Sequence, residues 1–208
     1  MNIWGAVYKV TPTKTNLIKA KNSLEFSKKG YELLDRKRTV LIREMMTLID
    51  KVNELQKRID IKFTEAYEAL KLANITMGTE SIEEIAFSIE KEGEFNILFK
   101  SVMGVETPYI KYDDNSFSTE YGFFRTNPAF DKAVLNFIDI KKIIYELAEV
   151  ENSVYKLAME IKKTQKRANA LEKIQIPKYI KTIKYIEEVL EEKEREDFFR
   201  LKRVKGKR

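Results

Sequence analysis

The chain has 208 residues, of which 35% are charged, and its 39 basic and 33 acidic side chains give a net charge of +6. It contains no cysteine and no histidine, which excludes disulfides, thiolate nucleophiles, Cys-based zinc sites and histidine-dependent acid–base catalysis. With only seven glycines and four prolines, the composition favours long helices over a sheet-rich fold. No run approaches the length of an apolar membrane span, and the first residues lack a basic n-region, so we expect a cytoplasmic, soluble protein.

The charge is concentrated at the two ends of the chain. Residues 1–30 hold six lysines and one glutamate, and residues 193–208 hold eight basic and three acidic side chains, so each end carries +5. The middle of the chain carries the remaining −4. If the two ends lie together, the molecule has one positive pole, suited to nucleic acid, an acidic membrane surface or an acidic protein cavity.

A first long helix is predicted from "TPTK" onwards, with Thr11 as its cap and Pro12 at its first helical position. Its seam residues are spaced alternately three and four apart, which is typical of a coiled coil. They are Leu17, Ala20, Leu24, Ser27, Tyr31, Leu34, Arg38, Leu41, Met45, Leu48, Val52, Leu55, Ile59, Lys62 and Ala66. We expect Met45, Leu48, Val52 and Leu55 to lie in this seam rather than on a partner surface.

A second long helix is predicted after Asn127, which can cap it, with Pro128 at the first position and Asp131 in the first turn. Its expected seam comprises Phe137, Ile140, Ile144, Leu147, Glu151, Val154, Ala158, Ile161, Gln165 and Ala168, then Ile176, Tyr179, Ile183, Ile186 and Leu190. The two runs are out of phase between Leu171 and Ile176. Because Pro177 lacks an amide donor and crowds the preceding turn, we expect a kink there.

The residues between these helices differ in composition. "SIEEIAFSIEK" suggests a short helix, "DDNS" at 113–116 a loop, and the aromatic and branched residues around Gly104 a β-hairpin pairing Phe95–Val102 with Val105–Tyr112. The predicted fold is mainly α: a long antiparallel two-helix coiled coil with a small central insert containing a β-hairpin. Its expected divisions are 1–76, 77–126, and 127–208 with the basic tail, and the insert is expected at the pole opposite the basic ends.

No catalytic constellation is found in the sequence. The glycines are too far apart for a phosphate-binding loop, a Ser-His-Asp triad is impossible, and "EEVLEEKERED" is typical of a solvated helix face. We therefore expect no catalytic residue, cofactor or metal. The tail at 200–208 has six cations and no acid, which keeps a nucleic-acid-binding helical protein open as one alternative, beside a coiled-coil scaffold.

Several segments resemble the D subunit of the V-type and archaeal-type rotary ATPases. The opening "TPTKTNLIKAKNSLEFSKKGYELLDRKR" is similar to the start of that family, with Gly30 followed by Leu33 and Leu34. "EYGFF" at 120–124 and "LAEVE" at 147–151 add support, whereas the rest of the central insert matches poorly. The closing segment is the most similar in order and spacing: Arg167, Asn169 to Glu172, Ile176-Pro177, Thr182-Ile183, Tyr185-Ile186, Glu194 to Glu196 and Phe199 to Lys202, with Ala168 a minor departure.

The resemblance implies a non-catalytic central rotor shaft that couples ATP hydrolysis or synthesis to proton or sodium transport. The implied partners are the catalytic and non-catalytic subunits of the hexamer, the companion F subunit of the central stalk and the socket subunit on the membrane ring. We expect no nucleic-acid partner and no direct membrane insertion, with the complex peripheral to the membrane on the cytoplasmic side. The candidates for contact with the hexamer are Lys163, Lys166, Arg167, Arg200, Lys202 and Arg203, and Pro177 would make the shaft asymmetric.

Overall fold

The computed structural model describes residues 10–88, 96–111, 121–122 and 126–206. The elements in chain order are α1 (Lys14–Met77), α2 (Thr79–Ser88), β1 (Asn96–Val102), β2 (Val105–Lys111), α3 (Pro128–Ala170), a π-helical turn (Leu171–Gln175) and α4 (Ile176–Lys205). Long helices joined through a small insert with a two-stranded hairpin confirm the predicted fold class. The predicted ends of the hairpin, Phe95 and Tyr112, and the 113–116 loop lie outside the described residues.

The chain forms two compact units, one made of Met1–Val40 with Ile161–Arg208 and the other of Leu41–Glu160. The helices run antiparallel in each unit. In the first, Lys14 pairs with Glu194 and Lys21 with Glu187, so partner numbers fall as α1 numbers rise. In the second, Lys51 of α1 pairs with Glu146 of α3, and Ala73, later in α1, packs with Phe130, earlier in α3. The three-part division at residues 76 and 126 stays a prediction.

The cap of α1 is Thr13, so the prediction of Thr11 was wrong. The Asn16 amide donates to Thr13 Oγ1 over 3.3 Å, and the Leu17 amide donates to the Thr13 carbonyl over 2.9 Å. Thr11 instead accepts from the Asn16 side chain through its carbonyl and its hydroxyl. Both threonines flank Pro12, and the cap falls on the one that follows it, which places the proline just before the helix.

The predicted seam of α1 is confirmed, because every one of its residues is buried or half-buried. Leu41, Leu55 and Ala66 are almost fully buried. In the second unit Leu55 and Ile59 pack with Ile143 and Val150 of α3. Leu48 and Val52 pack against this cluster, so they belong to the seam as expected.

Three of the ten predicted seam residues of α3 were wrong, whereas the other seven are buried or half-buried. Ile140 is buried and Leu147, Val154 and Ile161 are half-buried as expected, but Ile144, Glu151 and Ala158 are exposed. The other seam row consists of Ile143, Val150, Leu157 and Thr164. A 3-4 pattern starting at Ile140 can continue three or four residues on, and isoleucine occupies both positions. In the structure the buried row continues three residues on, at Ile143, and so lies one residue before the predicted row at Ile144.

The hairpin is antiparallel and pairs Val102 with Val105 across the two-residue turn Met103-Gly104. Both turn residues have positive φ, 52° and 78°, which is the type I′ pattern that matches the twist of paired strands. Glycine adopts this backbone freely, whereas Met103 does so with strain. The turn therefore fixes the register in which Phe99 lies opposite Pro108.

The hairpin packs against the side of α3. The Ile110 amide donates to Glu149 Oε2 over 3.5 Å, and Lys156 Nζ lies 4.8 Å from the centre of the Phe99 ring. Glu149 is about 30 Å along α3 from Pro128, at roughly 1.5 Å per helical residue. The hairpin is therefore folded back along the helix rather than confined to the turn between the long helices.

A second hydrophobic cluster lies at the start of α3. Tyr121 and Phe130 lie edge to face, with ring centres 5.2 Å apart, and both pack with the buried Ala73 of α1. The Tyr121 hydroxyl donates to Asp131 Oδ1 over 2.9 Å. Asn127 caps α3 as predicted, because its side-chain oxygen accepts from the Ala129 amide. Part of the "EYGFF" segment thus anchors the chain where it enters α3.

Candidate partner-binding surface

The register of α1 against α4 is marked by two ion pairs in the first unit. Lys14 Nζ lies 2.9 Å from Glu194 Oε1, and Lys21 Nζ lies 2.7 Å from Glu187 Oε1. The hydrogen bond from Lys14, and then its charge, lower the pKa of the Glu194 carboxyl, while the same contacts raise the pKa of Lys14. Because both side chains are exposed, solvent screens the pair and it marks the register more than it stabilises it.

A polar layer lies between α1 and α3 in the same unit. The Arg38 guanidinium donates to Gln165 Oε1 across the pair and to Asp35 on its own helix. Gln165 in turn donates from Nε2 to Asn169 Oδ1 over 2.7 Å. Arg38 and Gln165 are two of the polar residues that interrupt the apolar pattern of the predicted seams, and they hydrogen-bond to each other. Such a layer specifies register at some cost in hydrophobic packing.

The phase change before Pro177 is confirmed and corresponds to the π-helical turn. The Ile176 amide donates to the Leu171 carbonyl, five residues back instead of four. This turn adds one residue between the seam positions Ala168 and Ile176, after which Ile183 and Ile186 are buried as expected. In a regular α-helix the ring of Pro177 would crowd the Lys173 carbonyl, and the wider turn relieves that clash. The predicted kink at Pro177 stays a prediction.

The six candidate cations are all exposed, but they form two separate groups. Lys163, Lys166 and Arg167 lie near the end of α3, before the π-helical turn. Arg200, Lys202 and Arg203 lie near the end of α4, about 50 Å further along the helix at roughly 1.5 Å per residue. One surface loop of a partner therefore cannot contact both groups at once.

The end of α4 also carries apolar side chains that the sequence analysis did not identify as a surface. Phe198, Phe199, Leu201 and Val204 are each 64–70% exposed. Phe198, Leu201 and Val204 are three residues apart, and this spacing was the signal available in the sequence. The exposed end of α4, residues 195–205, is thus both basic and apolar. Arg200 Nη2 lies 3.8 Å from Glu196 Oε2, and Arg200 Nη1 lies 3.9 Å from Asp197 Oδ1. The charge of Arg200 is therefore partly compensated.

The described ranges hold no cluster of three or more acidic side chains that could bind a metal ion. Within the same ranges, no helix combines the length and the hydrophobicity that crossing a membrane requires. The described surface offers exposed helix faces, the basic end of α4 and the hairpin.

Comparison with known proteins decides the family. The family described as the D subunit of ATP synthase matches residues 16–206, which include the hairpin, α3, α4 and all but the first two residues of α1. The chain belongs to the ATP synthase D-subunit family. A V-type ATP synthase D subunit of Thermotoga neapolitana is 46% identical over 198 residues, covering 95% of this chain and 98% of the relative. The A-type ATP synthase D subunits of Thermococcus sibiricus and Pyrococcus furiosus are each 38% identical over 203 residues, covering 96% of this chain and 95% of the relative.

Membership of the D-subunit family confirms the resemblance found in the sequence. A subunit of an ATP synthase is part of a multi-subunit complex, so the exposed surfaces of this chain are to be considered as candidate subunit contacts. The match runs through the π-helical turn and the exposed end of α4, and both features therefore lie in the part of the chain that the family shares.

Proposed function

We propose that this chain is the non-catalytic central rotor shaft of a V/A-type ATP synthase. In this role it transmits torque between ATP hydrolysis or synthesis in the catalytic hexamer and proton or sodium transport through the membrane ring. The complex lies peripheral to the membrane, with this chain on the cytoplasmic side. The observation that carries the proposal is the antiparallel pairing of α1 with α4, marked by Lys14 and Glu194, next to an exposed basic end.

The helix pair suits the transmission of torque. Two antiparallel helices held by a buried seam and cross-helix bonds resist sliding, because sliding would break the Arg38–Gln165 contact and bury charge in the seam. The work of a shaft requires no general base and no phosphate-binding loop. The lack of histidine, of cysteine and of closely spaced glycines is compatible with that role.

The end of α4 is proposed to enter the cavity formed by the catalytic and non-catalytic subunits of the hexamer. Arg200, Lys202 and Arg203 would contact acidic and polar loops there, while Phe198 and Leu201 would contact apolar surface. Lys163, Lys166 and Arg167 would meet a second level of the hexamer, because they lie about 50 Å away along the helix. Each group of cations would then contact a different part of the same cavity.

The second unit is proposed to bind the other subunits of the central stalk. It carries the hairpin and α2. No residue of α2 is buried, and its Phe87 is 90% exposed. The companion F subunit and the socket subunit on the membrane ring are the proposed partners of this unit. An exposed aromatic side chain of this kind is typical of an interface.

The test compares two deletions by native mass spectrometry and by the ATPase rate of the reconstituted complex. Removing residues 200–208 should weaken binding to the hexamer and lower coupled activity, with a salt-sensitive component because exposed charges are screened. Replacing residues 95–112 by a Gly/Ser linker should spare hexamer binding and impair docking of the companion subunits. The opposite pattern of losses would reverse the proposed orientation.

A charge-matched control separates specific contacts from net charge. The triple variant Arg200→Gln, Lys202→Gln and Arg203→Gln removes three charges from the end of α4. Its control is the triple variant Lys57→Gln, Arg58→Gln and Lys71→Gln, which removes the same charge from exposed positions of α1 in the second unit. The proposal requires the first variant to weaken binding to the hexamer and the control to leave it unchanged. Equal effects would mean that only net charge matters.

A further inference from the structure

The two outer edges of the hairpin differ in what they offer a neighbouring strand. On β2, the Ile110 amide points away from β1, since it donates to Glu149 Oε2. Backbone direction alternates along a strand, so Pro108 and Glu106 also direct their backbone outwards. Pro108 has no amide to donate, and the outer edge of β2 is therefore closed by a proline and by α3.

In the described part of the chain, no strand pairs with the outer edge of β1. The residues opposite those three are Ile97, Phe99 and Ser101, so their amides and carbonyls point away from β2. In agreement, the Thr107 hydroxyl donates to the carbonyl of Lys100, which therefore faces the inside of the hairpin. The sheet has two strands in the described part of the chain, so no described strand covers this edge.

The side chains of β1 are also unusually apolar for a free edge. Ile97, Leu98 and Phe99 are 52%, 48% and 61% exposed. Natural edge strands are commonly protected by a charge or a proline on the edge. Here the one lysine of the strand, Lys100, lies over the Tyr109 ring, 3.7 Å from its centre, and so points towards β2. An open edge with apolar side chains is what strand addition uses.

We propose that β1 binds an extended segment of another subunit of the ATP synthase, which adds to the hairpin as a third strand. Main-chain hydrogen bonds to Ile97, Phe99 and Ser101 would hold it, and apolar side chains on alternate positions would cover Ile97 and Phe99. An acidic side chain in the segment would meet Lys156, whose ammonium lies beside the Phe99 ring. This inference rests on the proposed function, in which the second unit binds stalk subunits.

The first test is hydrogen exchange of the β1 amides in the isolated chain and in the assembled complex. The Ile97, Phe99 and Ser101 amides should exchange at least about tenfold more slowly in the complex, because strand addition occupies them. If the complex assembles with all its subunits and these amides exchange as fast as in the isolated chain, the β1 proposal is overturned while the shaft role stands. If the chain does not enter the complex, both proposals fail.

A matched pair of variants tests the same edge without relying on exchange. Ser101→Pro removes one outward amide and leaves the bonds to β2, just as Pro108 does on the other strand; Ser101→Ala is the control that keeps the amide. The proline variant should lower the affinity for the stalk subunits about tenfold or more while the alanine variant leaves it unchanged. Equal affinities of the two variants would overturn the proposal. So would concentration-dependent protection of β1 in the isolated chain, which would mean that two copies of this chain pair through the strand.

Discussion

Arg38 and Gln165 hydrogen-bond across the two helices of the first unit, where each helix places a polar residue in its seam. Each would be left with an unsatisfied, half-buried polar group if the other were removed. The register of α1 against α3 therefore depends on a pair that the hydrophobic pattern alone does not specify.

Removing one partner of this pair should cost more than removing an exposed charge nearby. We expect Gln165→Ala to lower the free energy of unfolding by about 1–2 kcal/mol, since a hydrogen bond to a charged group is lost. Arg36→Ala, at an exposed position two residues before Arg38, should change the free energy of unfolding by less than about 0.5 kcal/mol. Urea denaturation of the isolated chain measures both. A double-mutant cycle with Arg38→Ala that gave no coupling would show that the contact carries no stability.

The π-helical turn predicts a non-additive pair of changes. Deleting Glu172, an exposed residue of the turn, restores a seven-residue seam spacing between Ala168 and Ile176 but forces Pro177 into a regular helix. The deletion alone should destabilise the chain by about 3 kcal/mol, the cost of a proline in a helix interior. Combining it with Pro177→Ala should recover most of that loss, as measured by thermal unfolding and helical circular dichroism. A double variant no more stable than the deletion would contradict this account of the turn.

The proline also has a functional test in the complex. If Pro177 contributes a kink that makes the shaft asymmetric, Pro177→Ala should lower coupled ATPase activity and torque in a reconstituted complex. Unchanged torque would instead indicate that this residue serves local packing only.

Two glycines should respond in opposite directions to alanine. Gly30 is helical, and a Cβ there would lie 3.7 Å from Leu171 Cδ1, an ordinary contact, so Gly30→Ala should stabilise the chain by about 0.5–1 kcal/mol. Gly104 has a φ of 78°, so Gly104→Ala should destabilise the hairpin by about 1 kcal/mol although nothing obstructs the new methyl group. Unfolding experiments measure the first change and hydrogen exchange of β1 and β2 measures the second. The same sign for both would show that the backbone conformations do not control these effects.

Tyr121 should make stability depend on pH in the alkaline range. Burial, and then the hydrogen bond and charge of Asp131, raise the pKa of Tyr121 from 10.0 to about 12. Because the folded pKa is above the unfolded value, this stabilisation is fully present below pH 10 and is lost as the pH rises towards about 12. The measurement is the difference in unfolding free energy between the wild type and Tyr121→Phe from pH 9 to about pH 12. A difference that stays constant over this range would contradict the raised pKa.

The seam of α1 could be predicted from the sequence, whereas part of the seam of α3 could not. The α1 pattern also contains adjacent apolar pairs, such as Leu33-Leu34 and Leu48-Ile49, but all of the predicted seam positions proved buried or half-buried. In α3, Ile143 and Ile144 are adjacent. The predicted seam continued from Ile144, whereas the structure buries Ile143. The residues that α3 buries also include Ser153 and Thr164, which give no apolar signal. Ser153 remains compatible with burial because its hydroxyl donates to the Glu149 carbonyl.

The residue types of the candidate site could be predicted from the sequence, but their spatial arrangement could not. The sequence identifies the cations, and their exposure agrees with a role at the surface, but their separation into two groups follows from the helix that carries them. The position of the hairpin against Glu149 and Lys156 depends on tertiary contacts between distant segments, which no local pattern encodes. The open edge of β1 becomes apparent only when the register and the two edges are compared.

The most direct test of the central claim is single-molecule rotation of this chain within a reconstituted hexamer. The hexamer is fixed to a surface, and a probe is attached to an exposed residue of the second unit, such as Lys71. If the chain is the rotor shaft, ATP should drive continuous rotation of the probe in one direction, and rotation should stop when ATP is removed. A probe that stays fixed relative to a hexamer that is hydrolysing ATP would contradict the account.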